Sequence, residues 1–218
     1  MERFSHIEDI QRRIFAAMLA NLDDSVGAVL AKVRQEGLDE KTLIFFLSDN
    51  GGPTRELTSS NLPLRDGKGS VYEGGIRVPF LAKWKGHLPE NIVYQQPVIS
   101  MDVFATATAL AGTKLPANKV YDGENLIPYL DGTATSKRPH DELFWRMGSR
   151  TAVRVGDWKL LRNPRRGRAG QWELYDFRRD ISETDDLAAS NPSKVEELLT
   201  VWRKLNDQMI EPVWTPRR

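Results

Sequence analysis

The chain has 218 residues, a hydrophobic fraction of 40%, and 31 basic against 30 acidic residues, for a net charge of +1. That length suits one large domain or two modest ones with material for a core, and the charge balance argues against nucleic acid as a partner, which calls for a basic excess. With no cysteine, disulfides, thiolate metal sites and a cysteine nucleophile are excluded, although the compartment stays open because exported proteins also lack disulfides.

No uninterrupted apolar run approaches the ~20 residues of a membrane span, so no membrane partner is expected. Met1-Glu2-Arg3-Phe4 lacks the apolar region of a signal peptide; an exported parent would carry its signal outside these residues. Residues 9–35 place Ile10, Ile14, Met18, Leu22, Val26, Val29 and Val33 on one stripe. This spacing predicts a long amphipathic helix, with Gly37 as its C-cap. Asp23 and Asp24 read as a solvated helix face, since no other ligand type shares their turn. His6 reads as a surface histidine.

Residues 43–47 (Leu-Ile-Phe-Phe-Leu) are too short for a helix and do not alternate. They read as a strand buried on both faces, as in a parallel sheet. Ser48-Asp49-Asn50-Gly51-Gly52 follows, setting a carboxylate and an amide at the strand's carboxyl end, where open α/β sheets place ligands. Farther on, Gly67 and Gly69 flank Lys68, so the backbone can approach a ligand beside a point charge. Residues 79–84 read as a second strand returning to the same sheet, which requires the Lys68 loop to come back to the strand end. Glu73 and Arg77, four apart, read as an ion pair holding that loop rather than as substrate contacts. Lys83 and Lys85 read as surface charges.

Residues 100–111 predict a short helix, with Ser100 as cap, Asp102 at the positive end and Gly112 as C-cap. Residues 133–140 read as a polar linker in which His140 is not a ligand. Short strands follow at 143–146, 151–155, 158–161 and 172–177, with Gly156-Asp157 as a two-residue hairpin turn. Arg162, Arg165, Arg166 and Arg168 share one hairpin loop and read as solvated rather than as a site for an anionic glycan. Asn191-Pro192 open a last helix, with Val195, Leu198, Leu199, Trp202, Leu205 and Met209 on its buried face. The expected fold class is α/β: a partial, mostly parallel sheet flanked by helices over residues 1–140, then a small α+β antiparallel subdomain with one packed C-terminal helix over 141–218.

The strand-then-SDNG segment and the GKG-x-x-YEGG-x-R-x-P segment, in that order, resemble the sulfatase family, arylsulfatase-like members of the alkaline phosphatase superfamily. The segments at 122–132, 152–160 (AVRVGDWKL) and 172–177 (WELYDF) are also similar to it, so the likeness covers nearly the whole chain. The resemblance implies that Asp49 and Asn50 are metal ligands for Ca²⁺ (or Mg²⁺), hard cations that take oxygen donors. It implies that Lys68 contacts the sulfate, as both a substrate-binding and a catalytic residue. The family's catalytic residue is a cysteine or serine in a C/S-x-P-x-R motif, oxidised to formylglycine. This chain has neither a cysteine nor an S-x-P-x-R. It therefore resembles the C-terminal part of a sulfatase, with formylglycine and two further acidic ligands expected from an N-terminal region. The substrate implied is a sulfated small molecule or carbohydrate, and the compartment is periplasmic, secreted or lysosome-like. Two alternatives stay open: a phosphate or phosphonate monoester hydrolase of the same superfamily, and a non-catalytic sulfatase-like remnant acting as a binding module.

Overall fold

The computed structural model describes residues 2–54, 59–134, 138–164 and 170–211. In chain order the elements are α1 (Ile10–Gln35), β1 (Ile44–Leu47), α2 (Glu73–Ile76), β2 (Phe80–Lys83), α3 (Asp102–Leu110), α4 (Ile127–Leu130), β3 (Glu142–Met147), β4 (Arg150–Val155), β5 (Trp158–Arg162), β6 (Glu173–Asp176) and α5 (Pro192–Asn206). Contacts within the chain divide these into a first unit, Met1–Ser48 with Pro79–His140, and a second unit, Asp49–Val78 with Asp141–Arg218.

In the first unit, α1 starts where Asp9 holds an extended backbone and its side chain accepts from the Arg12 amide. It ends in a paired C-terminal motif: Gly37, at φ 66°, donates to the Arg34 carbonyl and Leu38 to that of Val33. A residue without a Cβ adopts that left-handed conformation most readily. No α1 residue is buried. By length and composition α1 is also long and apolar enough to cross a membrane. Asp23 and Asp24 fall in its middle, and a charged residue at a bilayer centre costs about 2.5–3.5 kcal/mol on insertion scales.

β1 and β2 pair antiparallel, from Ile44↔Lys83 to Leu47↔Phe80, and Ser48 donates to the Pro79 carbonyl beyond the strand ends. This corrects the expectation of a mostly parallel sheet, because among the described residues both sheets are antiparallel. A parallel pair needs a crossover, usually a helix of several turns. Among its described residues the β1–β2 connection contains only the four-residue α2 as helix, and it returns to the strand end it left. Nor is the run buried on both faces, since Phe46 is 42% exposed.

The N-terminus of α3 is also built differently from expectation. Met101, not Ser100, occupies the cap position, with no side-chain cap bond. Asp102 is fully buried and accepts from the amides of Ile99 and Glu124, each at 2.8 Å. His140 is no solvated loop histidine either: it is buried with Nε2 2.9 Å from the Asp102 carboxylate.

The second unit holds a four-stranded antiparallel sheet in the order β3-β4-β5-β6. Gly156, at φ 59°, forms the two-residue turn with Asp157 that lets Val155 face Trp158. Neighbouring strand residues point to opposite faces, and each face has its own cover. Val153, Leu160 and Leu174 pack with Leu198 of α5; Ala152, Leu161 and Tyr175 pack with Val71 and Tyr72. Pro192 opens α5, but the Asn191 side chain makes no cap bond and donates instead to the Leu187 carbonyl and to Ser190. Met209 lies past the helix and is 40% exposed. The Trp202 indole donates to Thr151 Oγ1 at 2.7 Å and meets Trp172 edge-on, centroids 5.3 Å apart.

Candidate functional site

Asp49, Asn50 and Lys68 all lie in the second unit, and a backbone knot ties their segments together. Gly51 donates to the Gly75 carbonyl at 3.0 Å, and Lys68 donates its amide to the Gly52 carbonyl at 3.1 Å. The Asn61 side chain bonds both the amide and the carbonyl of Gly52, each at 3.0 Å, and also the carbonyl of Asp66. The glycines are required by proximity. A Cβ on Gly51 would stand 1.7 Å from the Gly74 carbonyl oxygen, and one on Gly67 would stand 2.3 Å from that of Gly52. Arg150 of β4 donates to the carbonyl of Gly69, so Lys68 is held on both sides.

The side chains those segments present face solvent. Asp49 and Lys68 are exposed, and neither side chain makes a hydrogen bond or ion pair among the described residues. Asn50 is half-buried, and its amide nitrogen donates to the Gly51 carbonyl at 2.9 Å. The oxygen is the atom of this side chain a hard cation can take. Among the described residues no three His, Cys, Asp or Glu side chains gather into a metal-holding group. Asp49 and Asn50 are adjacent oxygen-bearing side chains just past the end of β1.

Behind the knot lies a polar network that the sequence patterns did not reveal. The Lys159 ammonium, fully buried, donates to Glu73 at 2.9 Å and to Glu183 at 2.8 Å. The second oxygen of Glu183 accepts the Glu73 amide at 2.6 Å, which fixes the start of α2. Burial pushes the Glu183 carboxyl above the usual carboxylate range against the pull of Lys159. The Arg77–Glu73 pair is present at 3.8 Å, with Arg77 about half exposed, so the buried lysine is the stronger partner. Beside it, Tyr72 and Tyr175 both donate to the Glu173 carboxylate, at 2.6 and 2.5 Å. Burial and those hydrogen bonds push both phenols well above their ordinary value, so they stay protonated donors. The Arg65 guanidinium stacks 4.0 Å from the Tyr72 ring centroid and donates to Tyr175 and to the Glu183 carbonyl. The available signal was Lys159 itself, a charge inside the otherwise apolar run 158–161. A buried lysine demands a partner, but nothing local named it.

Of the arginine group, Arg165, Arg166 and Arg168 lie outside the described residues. Arg162 sits over the Trp172 ring, 5.3 Å from its centroid.

Residues 5–113 match the sulfatase family model, and residues 66–211 match that of the N-sulphoglucosamine sulphohydrolase C-terminal region. The chain belongs to the sulfatase family. It is 33% identical over 219 residues to a sulfatase of Formosa agariphila, covering 89% of this chain and 38% of that protein. It is 37% identical over 163 residues to arylsulfatase A of Homo sapiens, covering 71% of this chain and 31% of that protein. The crystal structure of Ps i-CgsB aligns with a TM-score of 0.86 at 30% identity, covering 98% of this chain and 47% of that one; the same protein is also solved in complex with k-i-k-neocarrahexaose. The chain thus spans about two-fifths of the length of the Formosa agariphila relative.

Proposed function

We propose that these residues form the metal-ligand and sulfate-contact portion of a sulfuric ester hydrolase, with Asp49 and Asn50 holding Ca²⁺ or Mg²⁺ and Lys68 donating to a sulfate oxygen. The observation that carries this is the bond from the Lys68 amide to the Gly52 carbonyl, which brings the glycine-flanked lysine back to the segment bearing the two oxygen ligands. A bound cation polarises the sulfate and stabilises negative charge on a nucleophile. Lys68 adds a hydrogen-bond donor and a positive charge to the same anion. Arg150, Asn61 and the buried Lys159 keep the loop from wandering.

The nucleophile, by family likeness a formylglycine, and two further acidic ligands belong to the part of the fold these residues do not span. Family membership favours sulfate over phosphate or phosphonate esters. A carbohydrate substrate is supported by the oligosaccharide complex of Ps i-CgsB.

Two side-chain ligands are far from the ~6–8 oxygens of a full Ca²⁺ shell. Calorimetric titration of the 218-residue protein should therefore show only weak binding, about 10⁻³ M. Asp49→Ala should abolish it, and Asp24→Ala, on an exposed helix face, should not. In the same preparation no aryl sulfate should turn over. Equal loss of binding in both variants would misplace the site, and metal-dependent turnover by the wild type would demand a nucleophile within these residues.

A further inference from the structure

Most of the close approaches around the Lys68 loop are sealed. A Cβ on Gly51, Gly67, Gly74 or Gly75 would stand 1.7 to 2.3 Å from a backbone oxygen. Gly69 differs. It is exposed, at φ 82°, and among the described residues a Cβ there would meet only Nη1 of Arg150, at 3.8 Å. The space over Gly69 is therefore open, with the Lys68 side chain leaving the residue before it and the Arg150 guanidinium on its border.

The ends of two neighbouring strands build that border, all within the second unit. Arg150 is the first residue of β4 and is half-buried. Alternate strand residues share a face, so Arg150 lies on the face of Ala152, which packs with Leu161, Val71 and Tyr72. It donates to the Gly69 carbonyl. Asn163, just past β5, donates to Oγ of the buried Ser70 at 3.2 Å. Consecutive residues of the loop are thus tied to adjacent strands, and the guanidinium has a fixed seat.

The charge around this opening is unbalanced. Among the described residues no carboxylate pairs with Arg150 or Lys68. Other arginines of the unit do have one: Arg65 meets Glu173, Arg77 meets Glu73 and Arg178 meets Asp176. A guanidinium carries five N–H donors in a planar fork, and the Gly69 carbonyl leaves the rest of the Arg150 fork unused. Two cations on either side of an open glycine backbone suit an anion with several oxygens.

We propose that Arg150 forms an anion subsite over Gly69, which takes a second anionic group of the substrate, a sulfate ester or a carboxylate on the same or the next sugar. The inference rests on the proposed function, in which Lys68 holds the sulfate to be removed. Arg150 selects the substrate and does not act on it: the group it takes keeps all its bonds, and a substrate with one anion forgoes the contact.

The test titrates the 218-residue protein with three probes and follows amide chemical shifts by NMR, which reads millimolar affinities. N-acetylglucosamine 6-O-sulfate carries one anion, glucosamine-2-N,6-O-disulfate two sulfates, and a 6-sulfated chondroitin disaccharide one sulfate and one carboxylate. In the wild type a second anion should tighten binding by about tenfold, the contribution of one hydrogen-bonded contact to a charged group. A gain with the disulfate makes sulfate an occupant, and a gain with the disaccharide makes carboxylate one. Arg150→Met should cost the two-anion probes about tenfold more than the monosulfate. Arg150→Lys keeps the charge without the fork and should recover part of the gain, which covers the case of a Met variant that does not fold. If Arg150 only pins Gly69, its loss weakens all three probes equally, and that result overturns the proposal. So does a wild type with no gain from either second anion. Lys68→Ala separates the two readings. A monosulfate that binds equally well without Lys68 removes the sulfate contact of the proposed function, whereas a monosulfate that needs Lys68, with no gain from a second anion, removes the subsite alone. A wild type that takes none of the probes at millimolar concentration overturns both.

Discussion

Lys159 shows why single positions were only partly legible. Its partners Glu73 and Glu183 are 86 and 24 residues away in sequence, whereas the Glu73–Arg77 pair follows from helical spacing and was foreseen. Spacing shows local partners, and only the tertiary fold shows distant ones. Asp49 and Lys68 were identified by motif, and the backbone brings their segments together. The arrangement of one ammonium and two carboxylates, all at most 4% exposed, leaves excess negative charge in the interior, consistent with the raised Glu183 carboxyl. A carboxyl whose folded value is raised holds its proton more tightly folded than unfolded. Its contribution is fully favourable below the ordinary glutamate range and is lost as pH rises through the raised value. Lys159→Met removes the opposing charge and should widen that window. At pH 7 it should cost about 3–5 kcal/mol, as expected for breaking a buried pair, and clearly less at pH 5, where the raised Glu183 carboxyl can take up a proton. Urea denaturation followed by tryptophan fluorescence at the two pH values checks this; equal losses would remove the buried-charge explanation.

At the scale of elements, the sequence was most informative where local chemistry and burial agree. The Asp9 start and Gly37 end of α1, the Gly156 turn and the α5 stripe all came from short-range patterns. The parallel sheet did not, because an apolar run indicates that a strand expects cover and is silent on the direction of its neighbour. Asp102 looked like a charge complementing a helix end and proved to be a buried acceptor for two amides and a histidine. Within α5, the six-residue face was read slightly too long. Leu198 is fully buried against β4 and β5, whereas Met209 lies beyond the helix. Leu198→Ala should therefore cost about 2–5 kcal/mol through lost transfer energy and a residual cavity. Met209→Ala should stay within about 0.5 kcal/mol. Comparable losses in urea midpoints would show that the C-terminal segment packs more tightly than its exposure indicates.

At the scale of the molecule, the apolar interior is unevenly divided. The buried leucines at 143, 160, 161, 174 and 198 lie in the second unit, and the longest helix lies in the first without burying a residue. Most helical stability in proteins comes from packing an apolar face rather than from propensity, so α1 should melt before the four-stranded sheet when the protein is alone. Two probes separate the units. Far-UV circular dichroism weights the 26-residue α1 heavily. Among the described residues, tryptophan fluorescence weights Trp145, Trp158, Trp172 and Trp202 in the second unit against Trp84 alone in the first. In a urea titration the ellipticity should begin to fall at lower denaturant than the fluorescence, since the two signals follow regions of different stability. Leu198→Ala should then move the fluorescence transition to lower urea and leave the early loss of ellipticity in place. Coincident transitions in the wild type would mean that α1 unfolds only with the sheet, and the uneven distribution of buried leucines would then not translate into separate stabilities.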